Sequence, residues 1–186
     1  ANLKSFDLGT NILTGSIPSN VGALNKVTYF ALYRNSLTGS IPSSLGSLTE
    51  LKYLYLNSNS LTSSIPSSLG SLNHVEYIEL GFNYFTGSIP SSLGSMTNLI
   101  FLALGSTMLS GSIPSSLGSL ADVTYIALYS NALTGTIPSS FGALNQLVVL
   151  EITNNMLTGS IPSSLGSLTQ LDHFALATNF LTGSVH

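Results

Sequence analysis

Proline recurs along this chain with a fixed period, and the period constrains the fold more than any other feature. Seven prolines follow one another at intervals of 24 residues, at positions 18, 42, 66, 90, 114, 138 and 162. A constant period of this length is typical of one supersecondary unit copied along an axis, each copy burying its apolar side against its neighbours. We therefore expect a solenoid over residues 1–186, whose candidate sites lie in columns of equivalent residues.

The repeated unit has a recognisable sequence. Residues 27–48 read VTYFALYRNSLTGSIPSSLGSL, which is Leu-x-x-Leu-x-Leu-x-x-Asn-x-Leu followed by T-G-S-I-P-S-S-L-G-S-L, with other apolar residues at some leucine positions. This unit resembles the leucine-rich repeat, and its L-T-G-S-I-P segment resembles the plant-type subclass. The resemblance implies an α/β solenoid of about eight 24-residue coils. It also implies a parallel sheet on the concave, ligand-binding face and short 3₁₀ or irregular return segments on the convex face.

The residues of one unit lead to the same fold by themselves. Alternation such as that of Phe30 and Leu32 sends neighbouring side chains to opposite faces of a strand, so we expect one strand per repeat in a parallel sheet. Asparagine follows each strand, where its amide can bond to the turn and to the next copy. This ladder comprises Asn11, Asn35, Asn59, Asn83, Asn131, Asn155 and Asn179. Thr107 interrupts it, which predicts a looser turn, and P-S-S-L-G-S-L predicts one turn of helical or 3₁₀ backbone.

Composition excludes several classes of function. Only 6% of residues are charged, and the net charge is −3 without a basic cluster, which argues against a nucleic-acid partner because phosphates require several neighbouring Lys or Arg. An apolar run of the roughly 18 residues needed to span a membrane is missing from the sequence. The chain has no cysteine, which removes disulfides, thiolate metal sites and thiol catalysis.

The two ends of the sequence favour self-association. The resembled family usually carries cysteine-bearing caps, whereas the terminal repeats here look like interior ones, so we expect one array over residues 1–186 with exposed apolar core at both ends. All four Lys and Arg residues fall within the first 52 residues, and the Asp and Glu residues beyond them have no Lys or Arg among them. Ends of opposite charge suit head-to-tail stacking into filaments. Chance among eleven charges is the alternative explanation.

An aromatic column on the outward side of the predicted sheet is the main candidate binding site. It comprises Tyr29, Tyr53, Tyr77, Phe101 and Tyr125, which at about 4.8 Å per strand would form a stripe roughly 20 Å long. The stripe is extended by Tyr33, Tyr55, Tyr129 and Phe82, with Arg34, Glu79 and Glu151 as polar points beside it. Exposed rings suit sugars, peptide side chains or an aromatic partner surface. Mutual stacking that merely covers the sheet is the alternative.

A second set of columns carries hydroxyl groups. One row consists of Thr14, Thr38, Thr62, Thr86, Ser110, Thr134, Thr158 and Thr182, and a parallel row of Ser or Thr lies two residues further along each repeat. Regular threonine rows on a rigid solenoid resemble the surfaces of ice-binding proteins, some of which are plant leucine-rich repeat proteins. The T-G-S sequence is also simply the consensus of the subclass. Ice binding and O-linked glycosylation therefore both remain open.

Catalytic and metal-binding constellations are not visible in the sequence. Glu79 and Glu151 share a column but lie three repeats apart, about 14 Å at the usual strand spacing. A glycosidase needs its two carboxylates within roughly 5 to 9.5 Å. Histidines fall in separate repeats, and no three or four ligands converge on a metal site.

The sequence therefore predicts a non-enzymatic scaffold without cofactor or metal, located outside the cell or at its surface as the resemblance implies. Its expected partner is a peptide, protein or glycan at the concave aromatic stripe. Filament assembly and ice binding are the two alternatives.

Overall fold

A computed structural model describes residues 2–184, and its first feature is one long parallel sheet. Eight strands follow each other in sequence order, and each residue pairs with the one 24 positions later, as Tyr29 does with Tyr53. The strands are Ser5–Asp7, Tyr29–Ala31, Tyr53–Tyr55, Tyr77–Glu79, Phe101–Ala103, Tyr125–Ala127, Val149–Glu151 and His173–Ala175. We number coils 1–8 by these strands, and we call the outward side of the sheet the strand face. The predicted solenoid with one strand per repeat in this sheet is confirmed.

Short 3₁₀ helices form the return segments, as predicted. They span Ser19–Ala23, Ser43–Ser47, Ser67–Ser71, Ser91–Ser95, Ser115–Ser119, Ser139–Ala143 and Ser163–Ser167. Each follows a proline, whose fixed φ near −65° suits a helix start. Leu45 N–H donates to the Pro42 carbonyl at 3.0 Å, which is the i→i−3 bond of a 3₁₀ turn. None of the helices in the described part of the chain is long and apolar enough to cross a bilayer.

Serine hydroxyls tie each return segment to the preceding one, a contact that the sequence reasoning did not foresee. Ser44 Oγ donates to the Ser19 carbonyl at 2.6 Å, and Ser92 Oγ donates to the Ser67 carbonyl at 2.8 Å. The same bond recurs at Ser68, Ser116, Ser140 and Ser164. The second serine of each S-S-L-G sequence therefore forms a ladder along the return side, parallel to the sheet.

A second row of short strands lies between the sheet and the return segments, where only one strand per repeat was expected. These strands are Thr14–Ser16, Ser36–Gly39, Ser60–Leu61, Ser110–Ser112, Ala132–Thr134, Thr158–Gly159 and Phe180–Leu181. In most coils the glycine of T-G-S has a positive φ, for example +76° at Gly39, which a residue with a Cβ rarely adopts. Ser63 occupies this position in coil 3 with φ 67°. The T-G-S segment is thus a bent, paired edge that carries the hydroxyl rows.

One continuous apolar core fills the solenoid. Inward residues of the middle coils, such as Leu54, Ile78 and Leu102, are fully buried. In coils 1 and 8 the equivalent positions are more open, and Leu8 and Phe174 are about 40% exposed. Head-to-tail stacking of this chain stays a prediction.

The asparagine ladder is present, and each buried amide ties its own coil to the preceding one. Asn83 accepts a bond from Leu61 N–H at 3.0 Å and donates to the Leu56 and Leu80 carbonyls, both at 3.0 Å. Thr107 keeps only part of this pattern: its hydroxyl lies 3.3 Å from the Leu104 carbonyl oxygen and donates to Asn131 Oδ1. The turn nevertheless keeps its shape, because Ser106 has φ 54° and the equivalent residues of the other coils have φ 51–58°. Thr107 therefore removes bonds from the ladder without loosening the turn.

Candidate functional site

The predicted aromatic column forms a stack on the strand face. Neighbouring ring centroids are 5.9 Å apart for Tyr29 and Tyr53, 5.3 Å for Tyr53 and Tyr77, 6.0 Å for Tyr77 and Phe101, and 4.2 Å for Phe101 and Tyr125. The last pair is almost parallel, with 6° between the ring planes. All five rings are only half-buried, since the residue after each of them on the strand is the one that enters the core. The rings therefore stack on one another and still present an aromatic surface to solvent.

Four further rings widen this surface. Tyr55 meets Tyr29 edge to face at 5.6 Å, and Tyr129 meets Phe82 in the same way at 6.4 Å. Tyr129 lies against Gly105 of the preceding coil, where a Cβ would fall 2.6 Å from the ring. Tyr33 covers Gly9 in the same way. Tyr33 and Tyr129 each lie over a glycine of the preceding coil, so Gly9 and Gly105 have no side chain that would collide with these rings.

A polar hollow opens beside the first half of the stripe. It is lined by Tyr29, Tyr33, Arg34, Tyr55, Asn57 and Glu79. Partial burial raises the pKa of the Glu79 carboxyl above its usual value. Burial, and then the nearby Glu79 carboxylate, raises the pKa of Tyr55 to about 12. Asn57 Oδ1 is buried without a hydrogen-bond donor in the described part of the chain. The hollow therefore holds acceptors that its own residues leave unpaired.

A second carboxylate lies at the other end of the stripe. Glu151 Oε1 is 3.2 Å from His173 Nε2, and the Tyr125 hydroxyl donates a long bond of 3.4 Å to Glu151 Oε2. Burial, followed by the charge of Glu151, raises the pKa of Tyr125 to about 12. Sequence reasoning placed Glu151 beside the stripe but missed His173 as its neighbour. Glu151 and His173 do not occupy equivalent positions of their repeats, so the 24-residue period of the sequence could not show that they are in contact.

One ion pair connects coils 3 and 4 at the margin of the stripe. Lys52 Nζ lies 2.8 Å from Glu76 Oε1, and this hydrogen bond raises the pKa of the lysine. The Tyr53 hydroxyl is 3.4 Å from the other Glu76 oxygen. Lys52 and Glu76 are equivalent residues of successive repeats, so their 24-residue separation could have revealed the pair. The pair neutralises one of the four basic groups of the amino-terminal end.

The hydroxyl rows lie on the second row of strands. Thr14, Thr38, Thr62, Thr86, Thr134, Thr158 and Thr182 are all exposed. Some of these hydroxyls are partly committed to the backbone, since Thr38 Oγ1 donates to the Gly15 carbonyl at 3.4 Å and Thr158 Oγ1 to the Gly135 carbonyl at 3.3 Å. The rows form a regular surface separate from the strand face.

The two carboxylates of the strand face are too far apart to act as a catalytic pair. Glu79 and Glu151 stand on the fourth and seventh strands, three strand spacings or about 14 Å apart. Within residues 2–184, no group of three or more His, Cys, Asp or Glu is placed to hold a metal ion. The polar groups of the strand face are instead spread along several coils.

The repeat, the parallel sheet and the ladder define a leucine-rich repeat solenoid. The Leucine Rich Repeat family model matches residues 2–24, 26–48, 50–72, 74–96 and 146–168. The chain belongs to the leucine-rich repeat family. No curated protein sequence matches it.

Solved structures of plant proteins superpose on nearly the whole chain. The plant peptide hormone receptor RGFR1 in complex with RGF2 is 36% identical, with a TM-score of 0.96, over 97% of this chain and 29% of the receptor chain. The Arabidopsis receptor kinase HAESA, in complex with the peptide hormone IDA and the co-receptor SERK1, is 35% identical, with a TM-score of 0.93, over 96% and 30%. A plant ice-binding protein is 25% identical, with a TM-score of 0.79, over 98% and 66%. The chain thus spans about 30% of the two receptor chains.

Proposed function

We propose that this chain is a non-enzymatic recognition scaffold, located outside the cell or at its surface, that binds a peptide, protein segment or glycan at the aromatic stripe. The stack of five half-buried rings on the strand face carries the proposal. Aromatic rings supply a large contact area and lose little side-chain entropy on binding. Arg34, Glu79 and Asn57 add polar groups that can orient a ligand.

Mutual stacking of the rings is compatible with binding. Each ring is held by its neighbours at 4.2–6.0 Å, so the stripe is ordered before a ligand arrives. A surface that is already ordered avoids part of the entropy cost of association. If the rings served only to cover the sheet, we would expect them to be buried, whereas all five remain partly accessible.

The similar receptors support a peptide among the three ligand classes. RGFR1 and HAESA are each described in complex with a peptide hormone, and both share more than a third of their residues with this chain over the matched part. The chain corresponds to less than a third of those receptors, so the activity of the whole receptors is carried over only as a proposal.

Removal of two central rings tests the proposal. We expect Tyr53→Ala combined with Tyr77→Ala to weaken binding at least tenfold, because truncation of a central aromatic anchor typically costs about 2 kcal/mol. The assay selects a phage-displayed library of random 12-residue peptides on the wild-type chain and then measures each enriched peptide against wild type and variant. Circular dichroism verifies that the variant is folded. Equal affinity for both proteins would contradict the proposal for peptides, and binding on a glycan array would be compared in the same two proteins.

Ice binding is a second candidate, favoured by the exposed hydroxyl rows and by the similarity to a plant ice-binding protein. The threonines repeat at the strand spacing of about 4.8 Å on a rigid solenoid, so their hydroxyls and methyl groups form a regular array. This surface lies apart from the aromatic stripe. The two candidate functions can therefore be separated by substitution.

We expect the wild-type chain to slow ice recrystallisation if the rows bind ice, and Thr86→Lys to abolish this effect. A long charged side chain in the middle of the row would hold the surface away from the ice lattice. Tyr53→Ala with Tyr77→Ala is the matched control and should leave ice growth unaffected. Absence of any effect in the wild-type chain, or full activity of Thr86→Lys, would remove ice binding as a function.

A further inference from the structure

Two carboxylates mark the ends of a shallow trough on the strand face. Glu79 and Glu151 occupy equivalent positions of coils 4 and 7, and the same position in the two coils between them is alanine, Ala103 and Ala127. Three strand spacings separate the carboxylates by about 14 Å. The two alanines place no polar or charged group between the two acidic points.

Aromatic rings border this trough on both sides. Phe101 and Tyr125, stacked at 4.2 Å, precede the alanines by two residues on their strands and lie on the same face. Phe82 and Tyr129 are in contact at 6.4 Å beyond the carboxyl ends of the strands. Ring faces attract cations, most strongly when the cation also loses water. The rings on both sides therefore favour a cationic ligand group, as the carboxylates do.

Neither carboxylate has a Lys or Arg partner within the described residues 2–184. Within residues 2–184, Glu79 has no hydrogen bond and no ion pair, although it is half-buried. Arg34 shares its hollow but stands two coils away, about 10 Å across the strands. Glu151 contacts only His173 and, weakly, Tyr125. A cation bound at either end would offset the desolvation of an acidic group.

The charge of the surrounding chain favours the same ligand. After Lys52, which is paired with Glu76, the chain contains five acidic residues and no Lys or Arg. Coils 4–8 therefore present a negative field, which attracts basic partners and repels acidic ones.

We propose that the trough binds an extended basic peptide segment that carries Lys or Arg at positions i and i+4. This proposal rests on the proposed function and names the ligand of the same strand face. The segment lies across the strands of coils 4–7, with one cation at Glu79 and the other at Glu151. An extended chain advances about 3.3 to 3.5 Å per residue, so four residues span about 14 Å.

The backbone geometry of the ligand explains the spacing. Residues i, i+2 and i+4 of an extended chain face the same side, so both cations point at the sheet and residue i+2 points at the alanine floor. Ala103 is partly exposed and can contact a small side chain there, whereas Ala127 is buried beneath its neighbours. A spacing of three residues would turn one cation away from the surface, which makes the spacing a strict test.

The test uses two nine-residue peptides of equal composition, AGKAGAKGA and AGKAGKAGA, which place lysines four and three residues apart. Fluorescence anisotropy at low salt measures their binding to the wild-type chain, Glu79→Gln, Glu151→Gln and the control Asp122→Asn, which removes an exposed charge away from the face. We expect the first peptide to bind at least tenfold more tightly than the second. Each Gln substitution should weaken it at least threefold, and Asp122→Asn should change it less than twofold. Glu79→Gln is expected to stay folded, because the carboxylate has no partner to lose.

Other outcomes separate this inference from the proposed function. Equal binding of both peptides, or unchanged binding in both Gln variants, overturns the paired-cation inference. The random library could instead yield peptides without paired cations, whose binding is lost in the Tyr53→Ala, Tyr77→Ala variant. That result would also overturn the paired-cation inference and would leave the aromatic stripe as the binding site. Binding of a glycan without binding of any peptide would likewise overturn the paired-cation inference and leave the aromatic stripe as the binding site. Failure of every peptide and glycan to bind contradicts both.

Discussion

Gly94→Ala is expected to destabilise the chain by about 3 kcal/mol, at the upper end of the usual cost of overpacking a close contact. A Cβ on Gly94 would lie 2.2 Å from the Ser116 carbonyl oxygen of the next return segment. This oxygen belongs to the backbone, which is held by the hydrogen bond of the Ser116 hydroxyl to the Ser91 carbonyl and by the 3₁₀ helix Ser115–Ser119. Two coils must therefore move apart to accept one methyl group. Thermal unfolding followed by circular dichroism should show a midpoint lower by about 6–12 °C.

Gly166→Ala is the matched control. Gly166 occupies the same position in the return segment Ser163–Ser167, where an added Cβ would meet none of residues 2–184 within 4 Å. Its φ is not positive, so alanine can adopt the native conformation and should change stability by about 0.5 kcal/mol at most, in the stabilising direction. Similar losses at Gly94 and Gly166 would show that the helix conformation, and not the contact between coils, requires glycine.

Structural features that follow from the 24-residue repeat could be predicted from the sequence. The prolines set the 24-residue coil, the leucines give the inward side of each strand, and the asparagines give the ladder. Each is a local property repeated without a slip, and in a solenoid the neighbour of a residue is its equivalent in the next copy. The column from Tyr29 to Tyr125 was predicted for this reason, and its neighbouring rings are stacked except for the tilted pair Tyr29 and Tyr53.

Features that depend on fine geometry were not predicted. The second row of strands lacks apolar alternation, because T-G-S is polar and bends at a positive φ, so nothing in its sequence indicates pairing. The contact of Glu151 with His173 joins different columns of adjacent coils. The burial of Glu79 depends on how the rings beside it are oriented, which period does not specify. The candidate site was thus foreseen as a set of residues, and its charge environment was not.

We expect Asn83→Ala to destabilise the chain by about 3 kcal/mol, because a buried polar group without a partner costs about 1–3 kcal/mol. Asn83 is only 4% exposed, and its loss leaves Leu61 N–H and the Leu80 carbonyl without hydrogen bonds. Water cannot replace them inside the middle coils. Asn179→Ala breaks equivalent bonds in coil 8, but that side chain is more open, so we expect about 1 kcal/mol there. Equal shifts in the unfolding midpoint would contradict this dependence on burial.

The reverse substitution, Thr107→Asn, tests the same ladder by repairing it. In coils 2–4 and 6–8 a ladder amide accepts the N–H of the residue 22 positions earlier, and at Thr107 that residue is the fully buried Phe85. Asparagine at 107 would accept this N–H and would donate to the Leu80 carbonyl, at the loss of the present hydroxyl bond to Asn131. We expect the free energy of unfolding to rise by about 1 kcal/mol, since one buried backbone group acquires a partner and the turn already has the φ that the ladder requires.

The double variant with Asn83→Ala tests whether the two positions are coupled. The new amide at position 107 should also donate to the Leu80 carbonyl that Asn83→Ala leaves unpaired. The stability lost through Asn83→Ala should therefore be smaller in the Thr107→Asn background than in the wild-type background. Strictly additive effects would show that the two positions do not share this carbonyl, and would refute a ladder that runs continuously through coil 5.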